Sequence, residues 1–350
     1  MKILIRATNW VGDAIIAIPA LQAARRRWPA AEIAILARPW VADLYHNQGL
    51  ANRLIHFDSN GRHHGISGVE RLVRQLRFDH FDVALLFQDA FQAAWIAWRA
   101  GIRERIGYSR DARAPLLSRA VKLPRHGEIP EHEAYYYLEL LRRIGWIDQL
   151  PLLEPIRLKV DPASIELARL HMTTEGARPG APRIALAPGA AYGSAKCWAP
   201  ERFASLADRL IADFDADVIL FGSASERDIA NRIAAGMRHH PVNLVGQTPI
   251  GELAAFFAAC NLFIGNDSGA MHVAAAAGIP VVAVFGPTDP EGTSPVTPSL
   301  SLVREPVSCS PCFLRQCPVD HRCMARITVD AVYSSARQWM EGKRERTARG

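Results

Sequence analysis

The stretch IGNDSGAMHVAAAAGIPVVAVFGPTDP, residues 264–290, joins two apolar segments through a polar turn and a run of small residues. Leu262 to Gly265 read as a buried strand, and Asp267 or Ser268 stands where the N-cap of the following helix belongs. Gly278 follows the small-residue run, as expected of the C′ glycine that ends a helix. A strand, a helix and a second strand in this order predict one βαβ unit of a parallel sheet.

The same alternation continues along most of the chain. In the first half the apolar strands KILIRA, EIAILAR, RLIHF and FDVALLF are separated by helical runs, the first of them from about residue 13 to 28. In the second half the strands are RIALAPG, ADVILFG, PVNLVG, LFIGN and VVAVFGP. Strands of a parallel sheet are covered on both faces, so they read as continuous apolar runs. The sequence therefore predicts the α/β fold class.

Two domains fit the length of 350 residues and a break in the pattern. After Pro151 the alternation loosens, and the stretch TTEGARPGAPR is polar and rich in Pro and Gly, as linkers are. We expect two Rossmann-like domains, residues 1–160 and 161–327, facing each other across a cleft. A final helix within residues 328–350 is a candidate to pack back on the first domain.

The composition argues against membrane-spanning, exported and dinucleotide-binding proteins. No run reaches the roughly 18 apolar residues of a membrane span, since Gly278 and Pro280 interrupt the best candidate, residues 273–285. Arg6 and Asp13 fall where an export signal would be apolar, so we expect a cytoplasmic protein. Neither predicted domain carries GxGxxG after its first strand, which disfavours a nicotinamide-dependent enzyme.

The net charge of +6 comes from the first half of the chain. Residues 1–150 contain 21 Lys and Arg against 15 Asp and Glu, whereas residues 151–350 contain 20 of each. Such an excess is usual for a solvated basic surface. It also fits a first domain that faces nucleic acid, an anionic membrane or an acidic substrate.

The turn at residues 266–269 has a structural and a functional interpretation. An N-cap accounts for Ser268 without any ligand. It does not account for Gly269, because a bulkier residue would start the helix as readily. A glycine in the first turn lets a ligand approach the exposed backbone N–H groups, where the helix dipole favours a phosphate. At the carboxyl end of a strand, this turn is the expected place for a diphosphate.

Two further strand ends of the second domain carry small or polar residues. The loop APGAAYGSAKCWAP, which follows the first strand, has Lys196 as its only cation. A lysine beside a phosphate site offsets the charge of a departing diphosphate, although a lone loop lysine is more often simply solvated. In FGSASERD, Glu226 can accept hydrogen bonds from a ribose or can favour the start of the helix.

In the first domain, Asp13 follows the opening strand at the predicted start of a helix. It can act as an N-cap or as a first-turn carboxylate that stabilises the helix. At the carboxyl end of a strand it can also be the general base that takes a proton from an incoming hydroxyl group. The residues alone leave both roles open.

Three motifs, taken in order, resemble the ADP-heptose–lipopolysaccharide heptosyltransferases, family 9 of the glycosyltransferases. They are Asn-Trp-Val-Gly-Asp at 9–13, Gly-Asn-Asp-Ser-Gly-Ala-Met-His at 265–272 and Phe-Gly-Pro-Thr-Asp-Pro at 285–290. The resemblance implies a GT-B fold, with the acceptor bound by the first domain and ADP-heptose by the second. It implies no cofactor, no metal and no nucleic-acid partner.

By position, the resemblance assigns roles to the residues singled out above. Asp13 matches the base, Lys196 the contact to the diphosphate and Asp267 a sugar contact. The nucleotide-binding turn is matched by Ser268, Gly269 and His272. The implied reaction is the inverting transfer of L-glycero-D-manno-heptose from ADP-heptose to the 3-hydroxyl of the first inner-core heptose of lipopolysaccharide. Alternatives are a family 9 transferase with another acceptor, such as the one that adds the first heptose, a GT-B-like sugar-nucleotide epimerase or hydrolase, and a non-catalytic nucleotide-binding module.

The basic first half has a specific use in this family. The family's acceptor is a phosphorylated, carboxylate-bearing lipid A and inner-core saccharide, displayed on the cytoplasmic leaflet of the inner membrane. Residues in loop-like stretches that could meet these anions are Arg62, His63, His64, Arg110 and Arg113. Electrostatic attraction would support reversible, peripheral membrane contact, although each of these residues singly is more often an ordinary surface residue.

Four cysteines and a histidine lie close together near the C-terminus, as CSPCFLRQCPVDHRC at 309–323. Cys309 and Cys312 have the C-x-x-C spacing of a structural zinc site. Cys317 and Cys323 are spaced more loosely than zinc ligands usually are. A cytosolic location disfavours disulfides. Free or reversibly oxidised thiols are therefore the favoured interpretation, with zinc as the alternative.

Overall fold

A computed structural model describes residues 1–348 of the chain, with side chains through residue 342. The chain divides into two compact units, Met1–Leu153 and a second unit that begins at Glu154. Each unit contains one six-stranded sheet. The strand pairs in both sheets are parallel, which confirms the predicted α/β class.

The first unit is a parallel sheet with helices between its strands. Its strands are β1 (Lys2–Arg6), β2 (Glu32–Ala37), β3 (Arg53–His56), β4 (Val83–Leu86), β5 (Glu104–Tyr108) and β6 (Arg119–Val121). Its helices are α1 (Val11–Ile16), α2 (Ile18–Arg27), α3 (Pro39–Tyr45), α4 (Gly65–Asp79), α5 (Phe91–Arg99) and α6 (Ala134–Arg143). The strand order is β3-β2-β1-β4-β5-β6, the order of a doubly wound Rossmann sheet.

Strands β1 and β2 show no alternation of apolar and polar residues, because both faces of these central strands are covered. Ile3 lies opposite Ile33 and Ile5 opposite Ile35 in the parallel register, and all four are fully buried. Burying a side chain of this size stabilises the folded state by about 1.5–3 kcal/mol. The helix expected at about residues 13–28 is divided into α1 and α2 at Ala17. Pro19 explains the break, since it has no N–H to continue the helical hydrogen bonds.

The second unit repeats this architecture. Its strands are β7 (Arg183–Ala187), β8 (Asp217–Leu220), β9 (Val242–Asn243), β10 (Leu262–Asn266), β11 (Val281–Phe285) and β12 (Leu300–Arg304). Its helices are α7 (Pro162–Thr174), α8 (Pro200–Phe214), α9 (Arg227–Gly236), α10 (Leu253–Ala258), α11 (Gly269–Ala276), α12 (Pro290–Thr293), α13 (Arg322–Ala325) and α14 (Val329–Ala348). The order β12-β11-β10-β7-β8-β9 is the same Rossmann order, so both units share one topology.

The structure places the boundary between units earlier than residue 160. Ile156 donates its N–H to Val296 at 3.0 Å, and Leu158 donates to Ala276 at 2.9 Å, which ties residues 154–160 to the second unit. The final helix, α14, also buries side chains in the core of the second unit, among them Val332, Tyr333, Ala336 and Met340. This helix is therefore part of the core of the second unit, and its packing on the first domain stays a prediction. Among residues 1–348, no helix is both long enough and apolar enough to span a membrane.

Candidate functional site

Each sheet has a switch point at which the strand order reverses. It lies between β1 and β4 in the first unit and between β7 and β10 in the second. In open parallel sheets, ligands bind at the carboxyl ends of the strands beside this point. The loops after β7 and β10 carry Lys196 and Asp267, and those after β1 and β4 lead to Asp13 and Asp89. Within each unit, the topology therefore brings residues that are distant in sequence to the carboxyl edge of one sheet.

Lys196 and Asp267 form a nearly buried ion pair at the switch point of the second unit. Lys196 Nζ lies 2.5 Å from Asp267 Oδ2, and the two side chains are 12% and 5% exposed. Thr288, in the loop after β11, donates its hydroxyl to the same oxygen at 2.5 Å. Additional hydrogen bonds of this kind offset the cost of desolvating a buried ion pair. An incoming anion would therefore have to share Lys196 with Asp267.

Helix α11 begins beside this ion pair, and its N-cap is one of the two candidates that the sequence offers, Asp267 and Ser268. Its N-cap is Ser268, in an extended conformation, and Gly269 is its first residue. Ser268 Oγ makes no capping bond, is inaccessible to solvent and has no hydrogen-bond partner among the described residues. The first N–H groups of a helix likewise have no partner within the helix. A buried hydroxyl and open backbone donors at one helix start form a site suited to an anion.

Gly278 and His272 are the other residues of this region that the sequence singles out. Gly278 directly follows the C-cap residue Ala277 and has φ +91°, so its predicted role in ending the helix is confirmed. His272 lies one turn into the helix and is 4% exposed. Its contact with a nucleotide stays a prediction.

Asn266 ties the two switch-point loops of the second unit together. Its side chain is fully buried, accepts a hydrogen bond from Trp198 N at 3.0 Å and donates to Pro188 O at 2.6 Å. Pro188 and Trp198 stand on either side of the stretch that carries Lys196. The amide of Asn266 therefore fixes the loop after β7 against the end of β10.

Glu226 has the structural role that the sequence left open. Its Oε2 accepts hydrogen bonds from Ser223 N at 2.6 Å and Ser223 Oγ at 2.8 Å, which forms a capping box ahead of α9. The same carboxylate also lies against Gly189, where an added Cβ would overlap Glu226 Oε1. Glu226 thus caps a helix and reaches the loop after β7, so capping does not preclude a ligand contact.

In the first unit, Asp13 is a first-turn residue of α1 and not its N-cap. The N-cap is Trp10, whose side chain makes no capping bond, and Asp13 is the third residue of the helix. Its charge acts on two buried phenols, Tyr45 and Tyr137. Burial raises the pKa of both tyrosines, and the Asp13 carboxylate raises it further, so both remain protonated at neutral pH.

A buried arginine holds the turn that leads to Asp13. Arg6, at the end of β1, is 3% exposed and donates to Asn9 Oδ1 at 2.7 Å, while Trp40 Nε1 donates to Asn9 O at 2.9 Å. Burial, and then the charge of Arg38, lowers the pKa of Arg6 to about 9, which leaves it charged at neutral pH. The turn before α1 is therefore held by the buried guanidinium of Arg6, the last residue of β1.

Asp89 lies across the switch point from Asp13, after β4. Its Oδ2 accepts a hydrogen bond from Tyr136 Oη at 2.6 Å, and its Oδ1 lies 2.6 Å from Arg113 Nη2. Burial raises the pKa of Asp89, against the lowering effects of the Tyr136 hydrogen bond and the arginine charges. The charge of Asp89, like that of Asp13, raises the pKa of the buried Tyr137.

The basic residues expected to meet an acceptor divide into buried and exposed ones. Arg113 is fully buried, and it donates to Tyr108 O at 2.9 Å and also to Gln88 O. The prediction that Arg113 meets an acceptor anion is therefore corrected, because its guanidinium is used inside the fold. Arg110 is half exposed and lies 3.8 Å from Asp89 Oδ2. Arg62 is exposed in the loop before α4, so both remain available to a ligand.

The other two basic candidates of that loop also differ in exposure. His63 is 4% exposed, and its Nδ1 accepts a hydrogen bond from Asp58 N at 3.2 Å. Burial lowers the pKa of His63, which disfavours the charged form that an anion would need. His64 is exposed at the N-cap of α4.

The cysteines near the C-terminus do not form a ligand set in the described part of the chain. Cys309, Cys312 and Cys317 are exposed, whereas Cys323 is buried. His321 Nε2 lies 2.6 Å from Ala195 O, so this nitrogen is already used. Among the side chains that the structure describes, through residue 342, no three of His, Cys, Asp or Glu are arranged to hold a metal ion.

Sequence reasoning gave no site role to Arg6, Asn266, Asp89 and Thr288, although Asn266 and Thr288 stand in the quoted motifs at 265–272 and 285–290. Each is a polar residue at the carboxyl end of an apolar strand, and that position is the signal that could have found them. Their importance depends on partners far away in sequence. Thr288 and Asp267, for example, are 21 residues apart, and Tyr136 and Asp89 are 47 apart.

Comparison with known proteins gives one consistent relationship. Residues 69–322 match the family model of glycosyltransferase family 9 (heptosyltransferase). Lipopolysaccharide heptosyltransferase 2 of Escherichia coli (strain K12) is 30% identical over 312 residues, which cover 87% of this chain and 88% of the relative. The protein of the same name from Salmonella typhimurium is 31% identical over 311 residues, with 87% and 88% covered.

A solved structure extends the relationship to the whole fold. The structure of E. coli ADP-heptose lipopolysaccharide heptosyltransferase II matches with a TM-score of 0.83 at 27% identity, covering 98% of this chain and 100% of the relative. This likeness confirms the predicted GT-B fold of two Rossmann-like domains. A family match over residues 69–322, together with a fold shared over nearly the whole chain, shows that this protein is an enzyme of glycosyltransferase family 9, the heptosyltransferases.

Proposed function

We propose that this enzyme transfers L-glycero-D-manno-heptose from ADP-heptose to the 3-hydroxyl of the first inner-core heptose of lipopolysaccharide, with inversion at the anomeric carbon. The observation that carries the proposal is the Lys196–Asp267 ion pair beside the open start of α11. The name of the relatives, lipopolysaccharide heptosyltransferase 2, supports transfer of a heptose to lipopolysaccharide, and the name of the solved E. coli enzyme, which includes ADP-heptose, supports the choice of donor.

The second unit is proposed to bind the donor. The diphosphate would accept hydrogen bonds from Ser268 Oγ and from the backbone N–H groups that begin at Gly269. Lys196 would turn from Asp267 towards the same phosphates. Asp267, relieved of part of its ion pair, would accept from the heptose hydroxyls. Glu226 and His272 are the proposed contacts to the ribose and the nucleotide.

The first unit is proposed to bind the acceptor. Asp13 lies in the first turn of α1, the helix that follows β1, where a carboxylate can take the proton of an acceptor hydroxyl. Arg62 and Arg110 have exposed guanidinium groups and would meet the phosphates or carboxylates of the acceptor. The acceptor is membrane-bound, so the enzyme would work in the cytoplasm in peripheral contact with the inner membrane, and the basic excess of residues 1–150 favours that contact.

The chemistry is a single displacement. Asp13 accepts the proton of the acceptor hydroxyl while the oxygen of that hydroxyl attacks the anomeric carbon. The bond from that carbon to the diphosphate oxygen breaks on the opposite face. ADP departs with the electron pair of that bond. Lys196 and the start of α11 stabilise the negative charge that develops on the departing diphosphate. One displacement inverts the anomeric configuration.

Mass analysis of ADP-heptose incubated with the protein and defined acceptors tests the proposal. Acceptors carrying zero, one or two heptoses should give transfer only to the one-heptose molecule. Transfer to the molecule without heptose would assign the first-heptose reaction instead. Release of free ADP or an isomerised donor without any acceptor would show a hydrolase or an epimerase and would overturn the proposal.

A further inference from the structure

The sequence motif that the proposed function leaves unused is the cysteine-rich stretch at 309–323, named here the cysteine segment. In the structure this segment is a loop followed by the first residues of α13. It packs against two loops of the second unit, the one after β7 that carries Lys196 and the one after β11 that carries Thr288. These two residues are the partners of Asp267 in the candidate donor site.

The cysteine segment holds both polar groups of the peptide backbone at Ala195, the residue directly before Lys196. Ala195 N donates to Arg315 O at 3.0 Å, and Ala195 O lies 2.6 Å from His321 Nε2. Tyr192 adds a third contact by donating its hydroxyl to Phe313 O at 2.6 Å. The turn that presents Lys196 is therefore held from outside by hydrogen bonds to one segment.

The same segment holds the loop after β11. Pro287 O, directly before Thr288, accepts from Cys312 N at 2.9 Å and from Phe313 N at 2.8 Å. Ser310 Oγ donates to Gly286 O at 2.6 Å. In both loops, the segment thus binds the backbone of the residue that precedes a partner of Asp267.

Two glycines leave room for these contacts. A Cβ at residue 193 would overlap the carbonyl group of Arg315, and a Cβ at Gly286 would overlap the Met324 side chain and lie 3.2 Å from Cys323 Sγ. Both loops therefore approach the segment and the start of α13 more closely than any residue with a side chain would allow.

Arg315 brings a second cation to this place. Its guanidinium carbon lies 5.3 Å from the centroid of the Tyr192 ring, and Lys196 Nζ lies 4.8 Å from the same centroid. The Arg315 side chain is exposed, and the structure describes no carboxylate paired with it. Two positive groups against one ring, with the open start of α11 nearby, suit an anion with more than one charge.

We propose that the cysteine segment completes the donor site: Arg315 binds the diphosphate of a nucleoside-diphosphate donor together with Lys196, and His321 positions the Lys196 turn through Ala195 O. The proposal rests on the proposed function for the identity of the donor. It gives the segment a role that depends on its backbone and on two side chains, whatever the state of its thiols.

Calorimetric titration with ADP and with adenosine tests the role of Arg315. We expect Arg315→Gln to weaken ADP binding by about tenfold, the loss typical of one charge-assisted hydrogen bond, and to leave adenosine binding unchanged. Arg326→Gln is the matched control, because Arg326 is exposed and lies just outside the segment. It should bind both ligands as the wild type does.

The outcomes separate the two proposals. If the wild-type protein binds no ADP, the proposed donor is wrong. If it binds ADP but Arg315→Gln binds it equally well, or loses adenosine affinity to the same extent, Arg315 does not contact the diphosphate and the further inference fails.

Steady-state kinetics tests the positioning role of His321. His321→Ala should lower kcat/KM for the donor by about tenfold, because the Lys196 turn loses a hydrogen bond that holds it. His321→Gln keeps an N–H donor near the position of Nε2 and should recover most of this loss. If both variants lose melting temperature but transfer at the wild-type rate, or if glutamine is no better than alanine, His321 has only a structural role and this part of the inference fails.

Discussion

Replacing Asp13 by Asn separates a general base from a helix-stabilising carboxylate. Asp13 is the third residue of α1 and the N-cap is Trp10, so the substitution removes a charge near a helix start and leaves the cap unchanged. Losing that charge–dipole interaction costs about 0.3–1 kcal/mol. At roughly 2–4 °C per kcal/mol, the melting temperature should fall by no more than about 4 °C. The two buried tyrosines near Asp13 are protonated with or without its charge, so they add no cost at neutral pH.

The effect of Asp13→Asn on the rate of transfer should be much larger than its effect on stability. Losing a general base costs about 10²–10⁴-fold in rate, and a hundredfold loss corresponds to about 2.7 kcal/mol of activation free energy. We therefore expect Asp13→Asn to bind ADP normally, to melt near the wild-type temperature and to transfer heptose at least about a hundredfold more slowly. The measurements are thermal unfolding, calorimetric titration with ADP and mass analysis of the product. Asp43→Asn, an exposed change in α3 of the same unit, is the matched control. Transfer by Asp13→Asn within a few-fold of wild type would refute the assignment of the base.

Four further outcomes follow from the site. Lys196→Met should slow transfer and destabilise the fold, since a nearly buried Asp267 loses its cation. Adding Asp267→Asn should restore the melting temperature but not the rate of transfer. Recovery of activity in the double variant would contradict the role of Lys196. Arg113→Leu should cost about 3–5 kcal/mol of unfolding free energy in denaturant titration, because it leaves the Asp89 carboxylate without its buried partner. Chelation by EDTA should leave transfer unchanged, because Lys196 and the start of α11 are proposed to stabilise the departing diphosphate without a metal ion. Loss of activity that Mg²⁺ restores would overturn that proposal. Alkylation at pH 8, followed by peptide mass analysis, should modify the three exposed thiols of the cysteine segment before Cys323, because burial raises the pKa of Cys323 and lowers its thiolate fraction.

The sequence predicted most of the elements whose apolar runs are long. Helix α11 begins after Ser268 and ends before Gly278, as expected, because both ends carry local signals. Strands β5, β6 and β12 were missed. They lie at or next to the edges of their sheets and contain exposed or charged positions, so their apolar runs are interrupted.

The site was predicted where its chemistry is local and missed where it depends on packing. The turn at Asp267 and Ser268 was found from the spacing of one strand and one helix. The cation that pairs with Asp267 is 71 residues away, and only the sheet order brings Lys196 to it. Arg113 was misassigned because charge in a loop-like stretch predicts exposure, whereas this guanidinium satisfies carbonyl groups and a carboxylate inside the fold.

The two switch points share one topology but differ in charge, and that difference argues for which substrate each unit receives. In the second unit a lysine, an unpaired buried hydroxyl and a helix start converge, so a diphosphate gains favourable partners there. In the first unit, helix α1 carries Asp13 in its first turn, where α11 carries no acidic residue, and a diphosphate would be repelled by that carboxylate. Carboxylates instead accept hydrogen bonds from sugar hydroxyls. We infer that a hydroxyl-bearing ring enters the first unit, and that any phosphates it carries are met by the exposed guanidinium groups of Arg62 and Arg110.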